Sequence, residues 1–303
     1  MLVLHRQTQR WEDRKFRELP EFLGSGDCLV LNDSRVFPSR LLGHRAGSHA
    51  SGKVEMLLLQ PVTTDAKTWT ALVHPGRKLR TGERIQFDGV EAEIIGRGEY
   101  GERTVHFRTD EDIFTWLNKI GHVPLPPYIK RQDTAEDRDR YQTVFARETG
   151  SVAAPTAGLH FTPEILDACR RAGAGIAYVT LHVGLGTFQP VRDEKLHSER
   201  FQITEQNAAK IKAARRVICA GTTSVRAMES MFLGKAGETD LFIRPGFQFQ
   251  RTGAMLTNFH LPQSSLLVLV CAFAGREFVL AAYQHAVESG YRFYSYGDCM
   301  LIL

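Results

Sequence analysis

Val217-Ile218-Cys219-Ala220-Gly221-Thr222-Thr223-Ser224-Val225-Arg226-Ala227-Met228-Glu229 is the stretch whose reading decides the fold. Four residues without polar alternation suit a strand buried on both faces, and the glycine permits a tight turn into a helix opened by hydroxyl side chains. Working outward, Pro163 opens a helix through Arg171, residues 176–183 read as a strand, and residues 205–214 as a further helix. This alternation predicts an α/β fold, a mostly parallel sheet covered by helices, in which ligands collect beyond the carboxyl ends of the strands. Free N–H groups at the helix start, with Thr222 and Thr223, favour an anion such as a carboxylate or phosphate, and Arg226 adds a cation. The competing reading is that Thr222, Thr223 or Ser224 simply caps the helix.

Toward the amino terminus, a strand at Leu2-Val3-Leu4, a helix over residues 12–22 and a strand over residues 27–31 belong to the same architecture. The texture changes between Lys53 and Phe107. Short β-type runs at residues 54–59, 68–73, 84–87, 90–95 and 104–107 are separated by Pro75-Gly76, Thr81-Gly82, Asp88-Gly89 and a glycine-rich stretch at 96–101. The spacing predicts a small antiparallel β-barrel inserted in the larger domain. The expected division is therefore a discontinuous α/β domain, residues 1–48 and 117–303, with the barrel at 49–116.

The run Gly150-Ser151-Val152-Ala153-Ala154-Pro155-Thr156-Ala157-Gly158-Leu159-His160-Phe161 has neither helical nor strand periodicity. Its glycines and proline let backbone approach a ligand closely, and Ser151, Thr156 and His160 supply polar tips; the plain alternative is a packing turn rich in alanine. His182 precedes Gly184-Leu185-Gly186-Thr187, a loop after a strand that lacks the third glycine of a dinucleotide fingerprint. Asn258, His260 and Asp298 complete the polar inventory, with Tyr294 and Tyr296 as aromatic surfaces for a purine. No close His-x-His or His-x-x-x-His pair supports a metal, so none is expected. Imidazoles beside a carboxylate suit acid–base work.

Five segments in this order resemble the S-adenosylmethionine:tRNA ribosyltransferase-isomerases of the queuosine pathway. They are the 150–161 run, Thr180-Leu181-His182-Val183-Gly184-Leu185-Gly186-Thr187-Phe188-Gln189-Pro190-Val191, Gly221-Thr222-Thr223-Ser224-Val225-Arg226, Leu256-Thr257-Asn258-Phe259-His260-Leu261-Pro262, and Tyr291-Arg292-Phe293-Tyr294-Ser295-Tyr296-Gly297-Asp298. Leu31-Asn32-Asp33-Ser34-Arg35-Val36 and Pro124-Leu125-Pro126-Pro127-Tyr128-Ile129 fit as well, so the likeness covers almost the whole chain. It implies transfer and isomerisation of the ribosyl part of S-adenosylmethionine, as cosubstrate, onto the aminomethyl group of a 7-deazaguanine at the tRNA wobble position. Epoxyqueuosine-tRNA, adenine and methionine are the implied products.

On that resemblance, His160, His182 and Asp298 are the candidate catalytic groups. Ser151, Thr156, Gly158, Gly184, Gly186, Thr187, Thr222, Thr223, Arg226, Asn258, His260 and Tyr296 are the candidate S-adenosylmethionine contacts. Candidate tRNA contacts are Arg35, Arg40, Tyr128, Lys130, Arg131, Arg140 and Arg292, where cations can meet phosphates and a ring can stack on a base. Acidic neighbours Asp133, Glu136, Asp137 and Asp139 nearly cancel the local charge, which leaves a solvated polar connector as the other reading. A methyltransferase acting on RNA, or a non-catalytic RNA-binding module, are the competing functions. Relative to the family pattern the chain starts late and is short near residues 192–195 and 234–237, by omission or by deletion; Glu199, after His197-Ser198, matches the pattern again.

The chain's 303 residues, 43% of them hydrophobic and 24% charged, carry a formal charge of +4, the balance of a globular protein that can bury a sizeable core. No apolar stretch reaches membrane-spanning length and no signal core opens the sequence, so a cytoplasmic protein is expected. Cys28, Cys169, Cys219, Cys271 and Cys299 are odd in number and scattered, which argues against a disulfide framework or a zinc site. A monomer is expected, since no heptad stripe is present.

Overall fold

Alternate residues of Arg216–Ala220 face opposite layers: Ile218 and Ala220 enter a cluster with Leu29, Leu31, Ala254, Leu256 and Leu166, while the Cys219 sulfur lies 3.8 Å from that of Met228 on the helix Thr222–Phe232. A strand wrapped this way has no room for polar alternation, which is why its sequence is uniformly apolar. A computed structural model describes residues 1–46, 52–126, 128–184 and 196–303. Gly186, Thr187, Pro127 and residues 192–195 lie outside the described residues.

Two compact units are present. The first comprises Met1–Arg35, Gln142–Thr149 and Ala154–Leu303. Its sheet has the strand order Glu238–Thr239, Glu199–Gln202, Gly175–Leu181, Asp27–Asn32, Arg216–Ala220, Thr252–Asn258, Cys299–Ile302, Leu2–His5, Arg10–Asp13. The four strands from Gly175–Leu181 to Thr252–Asn258 pair in parallel, and Leu2–His5 is parallel to Cys299–Ile302. Pairing is antiparallel at both margins and between Thr252–Asn258 and Cys299–Ile302. The sheet is therefore mixed, not mostly parallel. The hairpin-length connection at residues 6–9 makes Arg10–Asp13 antiparallel to Leu2–His5, and Cys299–Ile302, after the two helices Ser265–Ala274 and Arg276–Glu288, returns antiparallel to Thr252–Asn258; both are relations between segments that local periodicity does not report.

Helix Pro163–Arg171 and the 3-10 turn Phe16–Phe22 pack together on one face, while Thr222–Phe232 and Glu205–Ala213 cover strands of the parallel group. The helix expected over residues 12–22 is instead a strand, Arg10–Asp13, followed by that 3-10 turn, which contains Pro20. Proline removes a helical donor and crowds the preceding turn, so only the tighter, shorter form survives.

The second unit, Val36–Tyr141 with Gly150–Ala153, holds a closed six-stranded barrel of order Glu102–Arg108, Thr68–His74, Lys53–Pro61, Arg40–Arg45, Arg84–Gln86, Glu91–Arg97. Five of its strands fall on the short β-type runs. The sixth, Arg40–Arg45, lies ahead of residue 49, where the insertion was expected to begin; its Gly43 and exposed Leu42 hide the alternation. Trp69, Phe107, Met56 and Leu41 fill the interior.

Candidate active site

The carboxyl ends of the four parallel strands lie side by side, and each delivers polar groups to one margin of the sheet. Asn32, buried at the end of Asp27–Asn32, stitches the neighbouring strand: its Nδ2 donates to Leu181 O and its Oδ1 accepts from Leu181 N, both at 3.0 Å. Asp33 follows. Its buried carboxylate accepts from Thr180 Oγ1 at 2.7 Å and from Arg147 at 2.8 Å, and the Arg147 guanidinium lies 4.4 Å over the Tyr178 ring. Sequence reasoning passed over Asp33 as a functional group; an acid directly after a buried apolar strand was the available signal.

His182 ends the next strand. Burial pushes its imidazole down to about 4, Arg200 adding to the effect and Asp33 opposing it. Its Nδ1 is buried with no hydrogen-bond partner. Two residues on, Gly184 N donates to Glu199 Oε1 at 2.8 Å, and the other oxygen of Glu199 receives Arg226 Nη1 in a buried ion pair.

At Arg216–Ala220 the chain turns through Gly221, φ +94°, a conformation that side-chain-bearing residues rarely adopt. Gly221 is also the N-cap of Thr222–Phe232, and no side chain caps the helix. The hydroxyls are otherwise placed: Ser224 Oγ donates back to Ala220 O at 2.7 Å, and Thr223 Oγ1 is buried without a partner. Arg226, one turn further, spends Nε on Leu241 O at 3.0 Å and keeps a buried Nη2 unpartnered. An uncapped helix start flanked by orphaned donors suits an anionic group.

The fourth strand end carries Asn258, Phe259 and His260. The amide of Asn258 donates to Tyr294 O at 2.9 Å and Ser295 O at 3.3 Å. The ring of His260 is tied to Thr257 Oγ1 at 2.7 Å, its backbone N–H to the Tyr283 hydroxyl at 2.9 Å, and burial lowers its imidazole to about 4.

Helix Thr156–His160 packs on Thr252–Asn258, and a Cβ built on Gly221 would lie 3.7 Å from that of Ala157. Gly158 is tightly enclosed here, since a Cβ would stand 2.7 Å from Thr143 Cγ2 and 2.9 Å from Phe145 Cζ, and something would have to shift. His160 projects at the end of the turn, 5.2 Å from the Phe16 ring. Burial lowers its pKa, opposed by the side chain of Asn258 and the charge of Asp298. Its Nε2 and Asn258 Oδ1 are both buried and neither meets hydrogen-bond geometry. Asp298 accepts from Arg292 N at 2.8 Å, with the exposed Arg292 side chain 3.6 Å away and Tyr296 exposed nearby in sequence.

Within the first unit, then, His160 lies beside Asn258 and within the field of Asp298; Gly221 stands against Ala157, between Thr156 and Gly158; and Gly184, two residues after His182, shares Glu199 with Arg226. Ser151 belongs to the second unit, where its carbonyl accepts from Phe37 N at 3.2 Å. In that unit Arg40 pairs with Glu55, Arg131 grips the buried Asp137, and Lys130 and Arg140 are exposed, while Arg35 is exposed in the first. Glu199 fits the family pattern, but nothing in its own strand marks it as the partner of a residue on a distant helix.

The family model described as queuosine biosynthesis protein matches residues 1–302. An S-adenosylmethionine:tRNA ribosyltransferase-isomerase of Solibacter usitatus is 63% identical, covering 100% of this chain and 92% of its own length. One of the same name from Symbiobacterium thermophilum is 47% identical with the same coverage. The crystal structure of an S-adenosylmethionine tRNA ribosyltransferase from Thermotoga maritima is 36% identical, with a TM-score of 0.54 over 100% of this chain and 91% of that one. The sheet margin described above thus lies in a chain that belongs to the queuosine biosynthesis protein family.

Proposed function

We propose that the protein transfers and isomerises the ribosyl moiety of S-adenosylmethionine onto 7-aminomethyl-7-deazaguanine at the wobble position of tRNA, giving epoxyqueuosine-tRNA with release of adenine and methionine. Family membership supports the reaction class. The observation that carries the site is the uncapped start of Thr222–Phe232 beside two buried, unpartnered donors, Thr223 Oγ1 and Arg226 Nη2, at the margin to which neutral imidazoles are also delivered. The methionine carboxylate suits the helix start, where N–H groups and the guanidinium edge replace its water. Thr222 opens that helix, Gly184 is tied to it through Glu199 and Arg226, and Ala157, between Thr156 and Gly158, stands against Gly221.

The chemistry begins with a C5′ hydrogen made acidic by the adjacent sulfonium, so it needs a base. His160 and His182, both held down by burial, are neutral near pH 7 and carry a free lone pair. Neutrality matters twice: the base is available, and an imidazolium would repel the sulfonium it must approach. The proton taken makes that imidazole an acid able to serve the departing adenine, and Asp298 favours the charged state of His160 when it forms. An amine acceptor must arrive unprotonated, and desolvation together with the positive charge of the sulfonium beside it favours that state.

The folded tRNA calls for phosphate contacts, for which Arg35, Arg40, Lys130, Arg131, Arg140 and Arg292 are the proposed cations and Tyr128 a stacking surface. A monomeric cytoplasmic enzyme without a metal is the proposed state. The test is to incubate the protein with S-adenosylmethionine and tRNA bearing the aminomethyl base, then weigh the modified nucleoside and quantify adenine. Epoxyqueuosine with equimolar adenine is expected; S-adenosylhomocysteine as the coproduct, or no turnover, overturns the reading. Arg226→Met should raise the KM for S-adenosylmethionine, and His160→Ala or His182→Ala should abolish adenine release at saturation.

A further inference from the structure

We propose that Asn258 is a positioning residue for His160: with its amide nitrogen committed to Tyr294 O and Ser295 O, its Oδ1 accepts the ring proton of Nε2 and leaves the lone pair on Nδ1. This rests on the assignment of His160 to acid–base work.

Two carbonyl oxygens face one end of the Asn258 amide, at 2.9 and 3.3 Å, and a carbonyl accepts only. The end facing them must therefore be NH₂, because turning the amide over would set three acceptors against one another. Oδ1 is thereby directed away from Tyr294 and Ser295, is buried, and has no donor within bonding geometry. The Nε2 atom of His160 is equally buried and equally unpartnered, and the Asn258 side chain is close enough to the ring to favour its protonated form. Two orphaned groups of opposite capacity side by side are each costly alone and satisfied by a small closing movement. The same accounting excludes the tautomer with the proton on Nδ1, which would set a ring lone pair against Oδ1.

The other groups acting on the ring are the carboxylate of Asp298, which favours its charged form, and the amino terminus and Arg292, which oppose it; Phe16 packs on the ring at 5.2 Å. Of the groups acting on the ring, Asn258 does so as a hydrogen-bonding side chain and Asp298 through its charge, so the direction of the ring proton is assigned to Asn258. A carboxylate here could accept from the ring but not serve the two carbonyls; only an amide can both donate to them and accept from the ring.

Histidine-selective ¹⁵N labelling, with the His160 signals identified by their loss in His160→Gln, tests this on the intact protein near pH 7. The expected result is a protonated Nε2 with a slowly exchanging, downfield proton, and an Nδ1 with the shift of a bare lone pair. Asn258→Ala should make that proton exchange rapidly and lower the pKa of His160, and Asn258→Asp should raise it and move the acid limb of kcat/KM to higher pH. A protonated Nδ1, or an Nε2 proton whose exchange is the same in Asn258→Ala, overturns the proposal. Should the Nε2 bond be found while His160→Gln turns over normally, the positioning stands as a structural fact and it is the catalytic assignment of His160 that falls.

Discussion

Glu199 and Arg226 form an ion pair buried on both sides, and the second oxygen of Glu199 holds the amide of Gly184. One carboxylate thus fixes the helix that begins at the proposed anion site and the strand end that carries His182. Removing one member of such a pair strands the other without water, which costs about 3–5 kcal/mol. Glu199→Gln and Arg226→Met should each lower the urea midpoint accordingly, while the double variant should recover most of the loss. A double variant whose loss equals the sum of the two single losses would show that the pair is not coupled.

Gly158 sits where a methyl group has no space, against Thr143 and Phe145, two residues before His160. Overpacking of this kind costs about 1–3 kcal/mol and is relieved by moving backbone. Gly158→Ala should therefore lose more activity than stability, since the relief displaces the imidazole. Adenine release and urea unfolding measured on the same preparation check this; unchanged turnover in a destabilised variant would contradict the placement of His160.

The strand and helix around Gly221 were legible because one local rule, burial on both faces followed by a turn, governed each residue. Pro163–Arg171 was legible to the residue for a similar reason, its proline and last-turn arginines marking both ends. What sequence could not supply were relations between segments distant in the chain. The strand Arg40–Arg45 is recognisable as barrel only through its pairing with Lys53–Pro61 and Arg84–Gln86, and the mixed character of the sheet depends on Cys299–Ile302 arriving antiparallel to Thr252–Asn258. In the site, Thr222, Thr223 and Arg226 were visible as one strand-turn-helix pattern. Asp33 with Arg147, and Glu199 with Arg226, are pairs separated by 114 and 27 residues, and no local periodicity reports them.

The imidazoles of His182 and His260 are held down to about 4 by burial, against about 6.5 for an unfolded chain. Between those values the unfolded state binds more protons than the folded one, so stability rises with pH across this window. The full contribution is present above about pH 6.5 and is lost as pH falls through about 4. His260→Gln should have a shallower decline of unfolding midpoint between pH 7 and pH 4 than the parent, whatever its absolute stability. Parallel curves would mean that His260 titrates alike in both states.

Among the cations proposed to meet tRNA, Arg131 differs from Lys130 and Arg140 in having a structural partner. Its guanidinium grips Asp137 at 2.6 and 2.8 Å, and that buried carboxylate also accepts from Thr134 N at 2.7 Å, closing the start of Ala135–Arg140. The Arg131 contact is the foremost reason that Asp137 is held well below the ordinary carboxylate range. Lys130 and Arg140 are exposed. If the latter two neutralise phosphates, Lys130→Ala and Arg140→Ala should each reduce the slope of log Kd against log salt by about 1. Arg131→Ala should in addition speed amide exchange through Ala135–Arg140, because the buried carboxylate loses its cation. Equal salt slopes in the parent, Lys130→Ala and Arg140→Ala would remove both residues from the tRNA surface, and undisturbed exchange in Arg131→Ala would show that its grip on Asp137 holds nothing in place.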